Sequence, residues 1–464
     1  MTGMTTQRSE PTPRPSPTEP RSYQFPAFER RALPNGMRLV VAPVSKLPLV
    51  SITAVVDAGA SVEKDGQDGV ASLTAQLLLE GAAGLDGAAL TERFERIGTS
   101  VDAHAEWDAA TVSLTVLAER LPDALALVRD LLRAPEFPER EVARLKDERI
   151  AELLQLRAEP GALADEHLSR AVYAPTARYA TPAGGNAASV RALTRDVVRS
   201  FYAERYRPAA TTLVIAGDVS VDRAADLVRA LFGDWEGDVG PTLARAVDTS
   251  PSTRITRVVA KADAPQSELR VGHAGLPRRH PDYFEATVMN AVLGGLFSSR
   301  INLNLREDHG YTYGAFSAFE WRRATGPFVI QTAVKSDVTG AAVREILNEI
   351  ARMRTEEIRP DELTLATSYL DGVFPIRYET TSAIATALAN LVIHDLPELF
   401  YDEYRARIRA VTTQDVLRAA QRHLHPDRLR IVVVGDPAVV VTPLSEIHGA
   451  PVETMTPDGA VVAA

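Results

Sequence analysis

The sequence contains no cysteine. Disulfides, thiol catalysis and thiolate metal sites are therefore excluded, and any metal ligand must come from histidine, aspartate or glutamate. An excess of positive charge is also missing: 61 acidic residues face 51 basic ones, for a net charge of −10. Nothing here carries the electrostatic footprint of a nucleic-acid or anionic-membrane binder, and neither is expected as a partner. No apolar run reaches transmembrane length. The first 24 residues are polar and proline-rich without the apolar stretch of a signal peptide, so they read as a disordered leader and the cytoplasm is the expected location.

What is present is a chain of 464 residues with an ordinary 45% of hydrophobic residues. That length exceeds the roughly 250–300 residues at which one core stops growing, so more than one domain is expected. Residues 194–219, "TRDVVRSFYAERYRPAATTLVIAGDV", recur in outline at 413–437 as "TQDVLRAAQRHLHPDRLRIVVVGDP". Thr194, Asp196 and Val197 match Thr413, Asp415 and Val416; after a one-residue slip, Pro208, Gly217 and Asp218 match Pro426, Gly435 and Asp436 at an offset of 218. Each copy reads as a helix, a proline stop, and a short β-rich strand ending in Gly-Asp. Two homologous halves follow.

Strands ("MRLVVAPV", "VSITAVVDAG", the alternating "TVSLTVLAE") are grouped apart from long helical patterns at 120–134, 138–158 and 188–205. That grouping predicts an α+β protein, each half an antiparallel β-sheet with helices packed on one face. The expected division is a leader at 1–24, a first domain at 25–238, a linker at 239–255, a second domain at 256–445 and a tail at 446–464.

The stretch "GVASLTAQLLLEG" at 69–81 reads as one amphipathic helix. Ser72, Ala75 and Gln76 share the face opposite Val70, Leu73 and Leu77. Two histidines and a glutamate at that spacing would bind zinc and activate water, but neither imidazole nor carboxylate stands there. By itself the stretch reads as a plain packed helix. The nine histidines offer no replacement pair at i, i+3 or i, i+4, and His423 and His425, two apart, fall on different faces of a helix. "LGGLF" at 293–297 lacks the Gly-Lys-Ser/Thr of a phosphate loop and reads as a turn between helices. No G-x-S-x-G nucleophile elbow is present.

The order of landmarks, "LPNGMRLVVAP", then "DAGASVE", then "GVASLTAQLLLEG", resembles the surroundings of the H-x-x-E-H zinc helix in the insulinase/pitrilysin family, in particular its short-chain, processing-peptidase-like branch. The resemblance runs from about Phe25 to Pro443 and includes "GDVSVDRAADLVRALFGDW" at 217–235. It places Ser72 and Gln76 at the two histidines and Ala75 at the glutamate base. Glu152, in "ERIAELLQLRAEP", takes the place of the third ligand. A lone glutamate is not a metal site, so the resemblance implies a degenerate zinc motif, no metal on this chain and no independent peptidase activity.

The same resemblance extends to "SSRINLNLREDHGYTYGAFSAF" at 298–319, where Arg306 and Tyr313, seven residues apart, match an arginine and tyrosine that reach from the second domain to the zinc site. Attack on a peptide carbonyl puts negative charge on its oxygen, and guanidinium and phenol donors stabilise that charge. The alternative is an arginine paired with Glu307 or Asp308 and a tyrosine packed in a strand. "AHAEWDAAT" at 103–111 stands where active relatives place an edge strand that pairs with substrate, and His104 and Trp107 are candidates to line that groove, Trp107 being equally a core residue. The resemblance implies that, like the family's short-chain members, the chain works in a two-chain clamshell, homodimeric or heterodimeric, with zinc on one half and the arginine–tyrosine pair on the facing half. The chain is therefore expected to be the non-catalytic half of a heterodimer, supplying Arg306 and Tyr313 to a zinc-bearing H-x-x-E-H partner of similar length that cleaves peptides or unfolded segments. A non-enzymatic scaffold or peptide-binding protein, comparable to the family's core subunits in a respiratory complex, is the alternative.

Overall fold

The computed structural model describes residues 22–237, 247–250, 253–447 and 452–462. The expected leader up to residue 21, and most of the expected linker, lie outside the described residues. The first half builds a six-stranded sheet from β1 (Glu29–Ala32), β2 (Arg38–Pro43), β3 (Leu49–Val56), β4 (Asp102–Ala105), β5 (Ala110–Leu117) and β6 (Thr211–Gly217), in the order β1-β2-β6-β3-β5-β4. The second half repeats it with β7 (Ile255–Ala260), β8 (Gln266–Ala274), β9 (Ala315–Phe319), β10 (Pro327–Lys335), β11 (Arg430–Gly435) and β12 (Val452–Met455), in the order β12-β7-β11-β8-β10-β9.

Position for position the two sheets correspond, but they are not wholly antiparallel. β2 runs parallel to β6 in the first, and β11 and β12 both run parallel to β7 in the second. A whole domain of chain separates each parallel pair, so no hairpin forces the antiparallel sense. The residues expected as a C-terminal tail contribute β12, which fills in the second sheet the edge place that β1 fills in the first. β7 begins inside the expected linker.

The main helices positioning the site are α1 (Val70–Leu77), α2 (Glu139–Ala158), α3 (Pro160–Val172), α4 (Arg195–Arg205), α5 (Tyr283–Asn290), α6 (Thr381–Ile393) and α7 (Thr413–His423). Thr194 caps α4 by accepting from Val197 N, and Thr412, not Thr413, caps α7 by accepting from Asp415 N. The slip read from the sequence therefore disappears: caps, helices and the final strand glycines, Gly217 and Gly435, all repeat at an offset of 218. Two adjacent threonines had concealed the register.

Helices of its own half cover one face of each sheet. The other face receives a single helix from the opposite half: α6 lies on β3 and β6, and α3 lies on β8 and β11. Val40, Val55 and Val214 thereby join the second half's core, while Leu163, Leu168 and Val172 pack on Val432 and Val434. Burial on both faces explains why "TTLVIAG" and "RIVVVG" are continuous apolar runs with every residue buried. Gly217 closes its strand at φ +146°, where a Cβ would stand 2.1 Å from Leu49 O. Among the described residues no helix is long and apolar enough to cross a membrane.

Candidate functional site

Helix α1 is fixed at its start by a buried carboxylate. Glu63 accepts hydrogen bonds from Gly69 N at 3.1 Å and Ala71 N at 2.8 Å, satisfying amides that an α-helix leaves free. Arg178 Nε donates to the same carboxylate at 2.7 Å, and its two terminal nitrogens donate to the carbonyls of Thr181, Pro182 and Ala183. Glu63 is wholly buried and Arg178 nearly so. Burial pushes the Glu63 carboxyl up to about 7 against the opposing pull of Arg178.

Beyond this anchor, α1 buries Val70, Ala71, Leu73, Thr74, Ala75 and Leu77. Of the three positions that the resemblance assigns to zinc chemistry, Ser72 is half-buried, Ala75 is 1% exposed and Gln76 is exposed. They offer a hydroxyl, a methyl group and a carboxamide. This donor set does not fit a catalytic zinc, which takes imidazoles and carboxylates. Glu152 lies on α2, which packs on α1, but it is exposed and its carboxylate pairs with Arg149 Nη1 at 2.6 Å. Arg149 Nε in turn donates to Gly184 O, the carbonyl against Gly69.

In the second half, α5 widens into a π-helical turn at Ala291–Gly295, and a second π-helical segment, Leu303–Asp308, carries Arg306. "LGGLF" thus ends a π turn and does not form a simple interhelical loop. Gly294 is needed there, since a Cβ would lie 2.4 Å from Ser317 Oγ. π-helical turns are often found at functional sites. The Arg306 guanidinium lies over the Phe297 ring at 4.5 Å, with Nη1 3.4 Å from Glu307 Oε1 and making no hydrogen bond. The following loop is braced from both sides. Tyr311 N donates to Leu305 O, Thr332 Oγ1 donates to Gly314 O, and Ala315 N donates to Asn302 Oδ1. From this braced loop Tyr313 projects with 94% of its surface exposed. The strand here is Ala315–Phe319 only, so Tyr313 is not a tyrosine packed in a strand.

The strand β4 is an edge of the first sheet, paired only with β5. Its side chains alternate: Ala103 enters the core shared with α1, whereas His104 points the other way. His104 Nδ1 is 2.6 Å from Asp102 Oδ2, and Thr111 Oγ1 is 3.1 Å from His104 Nε2. His104 and Trp107 line a cavity of about 470 Å³ between β5 and α6, on the sheet face opposite α1. His104 therefore points away from the Ser72 face. Trp107 is half-buried, packs against Arg178 at 5.2 Å and Arg322 at 4.4 Å, and also borders a second cavity that includes Arg149 and Gly185.

Arg322 and Arg323, unnoticed in the sequence, sit on the β9–β10 turn and reach into the first half. Arg323 N donates to Asp108 Oδ2, and its side chain pairs with Asp57. Only two adjacent arginines in a turn signalled them.

Two family models match the chain in tandem: insulinase (peptidase family M16) over residues 40–181 and the peptidase M16 inactive domain over residues 192–370. An uncharacterized zinc protease of Mycobacterium bovis is 26% identical over 437 residues, covering 91% of this chain and 96% of the relative. A probable mitochondrial-processing peptidase subunit beta of Arabidopsis thaliana is 22% identical over 417 residues, covering 87% and 77%. Among solved structures, a peptidase M16 inactive domain from Pseudomonas fluorescens aligns with a TM-score of 0.83 at 25% identity, over 88% of this chain and 98% of that one.

Proposed function

The chain belongs to the insulinase family, peptidase family M16, and on that premise we propose that it is the non-catalytic subunit of a two-chain zinc endopeptidase. It supplies Arg306, Tyr313 and part of the substrate chamber to a partner of similar length bearing the zinc motif, and the pair cleaves peptides or unfolded segments. The observation that carries this reading is Tyr313, held on a braced loop of the second half yet 94% exposed, in a chain whose helix α1 offers no zinc donors at the ligand positions. A phenol with no work inside its own fold is placed to act on something outside it.

The part this chain plays is electrostatic. As a peptide carbonyl becomes tetrahedral, charge grows on its oxygen, and the Arg306 guanidinium and the Tyr313 hydroxyl donate hydrogen bonds to it. Arg306 Nη1 is buried without a hydrogen bond among the described residues and the guanidinium lies over the Phe297 ring, so the side chain must turn outward to meet a substrate. One oxyanion donor is worth on the order of a hundred- to a thousand-fold in rate.

The test begins with native purification from the source cells. A similar-sized chain with H-x-x-E-H, and about one zinc per pair, is expected; a zinc-free homodimer alone would refute the heterodimer. In the assembled pair, Arg306→Ala and Tyr313→Phe should each lower kcat by about 10²-fold or more while leaving assembly and melting temperature unchanged. Unchanged kinetics in both would remove the transition-state role. The second reading, a scaffold or peptide-binding subunit, draws support from the partners Arg306 already has in Phe297 and Glu307. It predicts indifference to both substitutions.

A further inference from the structure

The spacing of the histidines along the chain suggests no ligand pair, yet the fold brings two of them together with a carboxylate. His280 and Asp282 lie just before α5, and His423 is the last residue of α7, which packs on α5. One ligand atom from each of the three lies within 4.8 Å of the others. His423 Nε2 is 2.7 Å from Asp282 Oδ2, and the two imidazole rings stand at 80° with centroids 5.0 Å apart.

A second observation at the same place points to a cation. Glu285 follows Asp282 by three residues, one helical turn on, and so shares its side of α5. Its Oε2 is buried with no hydrogen-bond partner among the described residues, and its charge acts on the His280 ring. A buried carboxylate oxygen left without a donor is costly, and a cation is the partner that removes the cost. The one hydrogen bond that the His280 ring makes among the described residues is a long one, accepted by Nδ1 from Asp282 N at 3.1 Å. Arg422 Nη1 approaches Asp282 Oδ2 at 3.4 Å from a side chain 63% exposed, so it can swing into water when a stronger cation arrives.

We propose that His280, Asp282 and His423, with water completing the coordination sphere and the Glu285 carboxylate adding negative charge nearby, form a site for one divalent transition-metal ion that clamps the start of α5 to the end of α7. Two imidazoles with a carboxylate suit zinc, cobalt or nickel, whereas calcium and magnesium prefer an all-oxygen set. The clamp joins residues 141 positions apart. The first half has no counterpart. At the position 218 residues before His423 stands Arg205, which pairs with Glu204. The site touches neither α1 nor Arg306, so it is independent of the subunit role proposed above.

The experiment uses the full chain without a histidine tag, stripped with EDTA and titrated with ZnCl2 by calorimetry, with melting curves in parallel and CoCl2 as a visible-absorption probe. One ion per chain is expected, with a Kd of about 10 µM or tighter and a melting temperature that rises by a few degrees at about 100 times Kd. His280→Ala and Asp282→Asn, both at partly exposed positions, should each weaken binding about 10- to 100-fold while melting like the stripped wild type in EDTA. Arg422→Gln should tighten it, because a competing cation is gone. The proposal is overturned if zinc shows no saturable binding below about 100 µM. It is equally overturned if binding persists unchanged in the His280→Ala, Asp282→Asn double variant.

Discussion

Replacing Arg178 by methionine keeps the aliphatic stem over Trp107 and removes the charge. In the native chain that guanidinium meets Glu63 at 2.7 Å and three backbone carbonyls, with both side chains out of water. The variant leaves a carboxylate with no counter-charge at the base of α1, a situation that costs about 3–5 kcal/mol. Removing the carboxylate as well, in Arg178→Met with Glu63→Gln, removes the isolated charge, so the double variant should lose less than Arg178→Met alone. Urea unfolding of the wild type, the two single variants and the double one measures the coupling directly. The pH profile adds a signed check. Burial holds the folded-state Glu63 at about 7 against an ordinary 4.5, so its proton is bound more tightly folded than unfolded. This group's contribution is therefore full below about pH 4.5 and is lost as pH rises to about 7, with a ceiling of about 3 kcal/mol. Without Arg178 the loss should extend to still higher pH. A cost below about 1 kcal/mol for Arg178→Met, or a double variant equal to the sum of the singles, would refute the buried-pair argument.

Two further expectations concern stability alone. Burial depresses His273 to about 4 and His394 to about 3, so both are neutral in the fold but take up protons in the unfolded chain near pH 6.5. Their contribution is full above about pH 6.5 and is lost as pH falls towards 4 and then 3, up to about 3 kcal/mol for His273; His273→Gln should flatten the fall of the urea midpoint with acid. Gly217→Ala places a Cβ 2.1 Å from Leu49 O at a φ that side chains rarely adopt, and should cost about 2–5 kcal/mol by the same assay.

The sheets were largely legible because their strands are either alternating, as in "ATVSLTVL", or continuously apolar, as in "RIVVVG". β7 was not, because it emerges from a run of serine, threonine and proline that reads as linker. The exchange of α3 and α6 between halves was hidden for a different reason: an amphipathic stripe says that a helix packs on something, never on which sheet. Pairings across long separations were invisible in the same way. Glu63 and Arg178 are 115 residues apart, and His280 and His423 meet only because α5 and α7 pack. The pairing of Arg306 with Tyr313 could be read at all because its signal is local, seven residues within one stretch. The direction of His104 could not, since strand alternation turns it to the face away from α1.

The contrast between α1 and the Arg306 loop bears on what kind of protein this is. Packing requires only the buried face of α1, so the outward positions are free to change without cost to the fold. Ala75, however, belongs to that buried face at 1% exposure. A carboxylate introduced there would be desolvated without a cation, so restoring histidines at positions 72 and 76 with a glutamate at 75 would cost stability before it returned any chemistry. The Arg306 loop shows the opposite. Its bracing, through Asn302, Thr312 and Thr332, is spent on a tyrosine that gives nothing back to its own core. A helix α1 without metal donors and a braced loop bearing an outward phenol are what the proposed division of chemistry with a second chain expects.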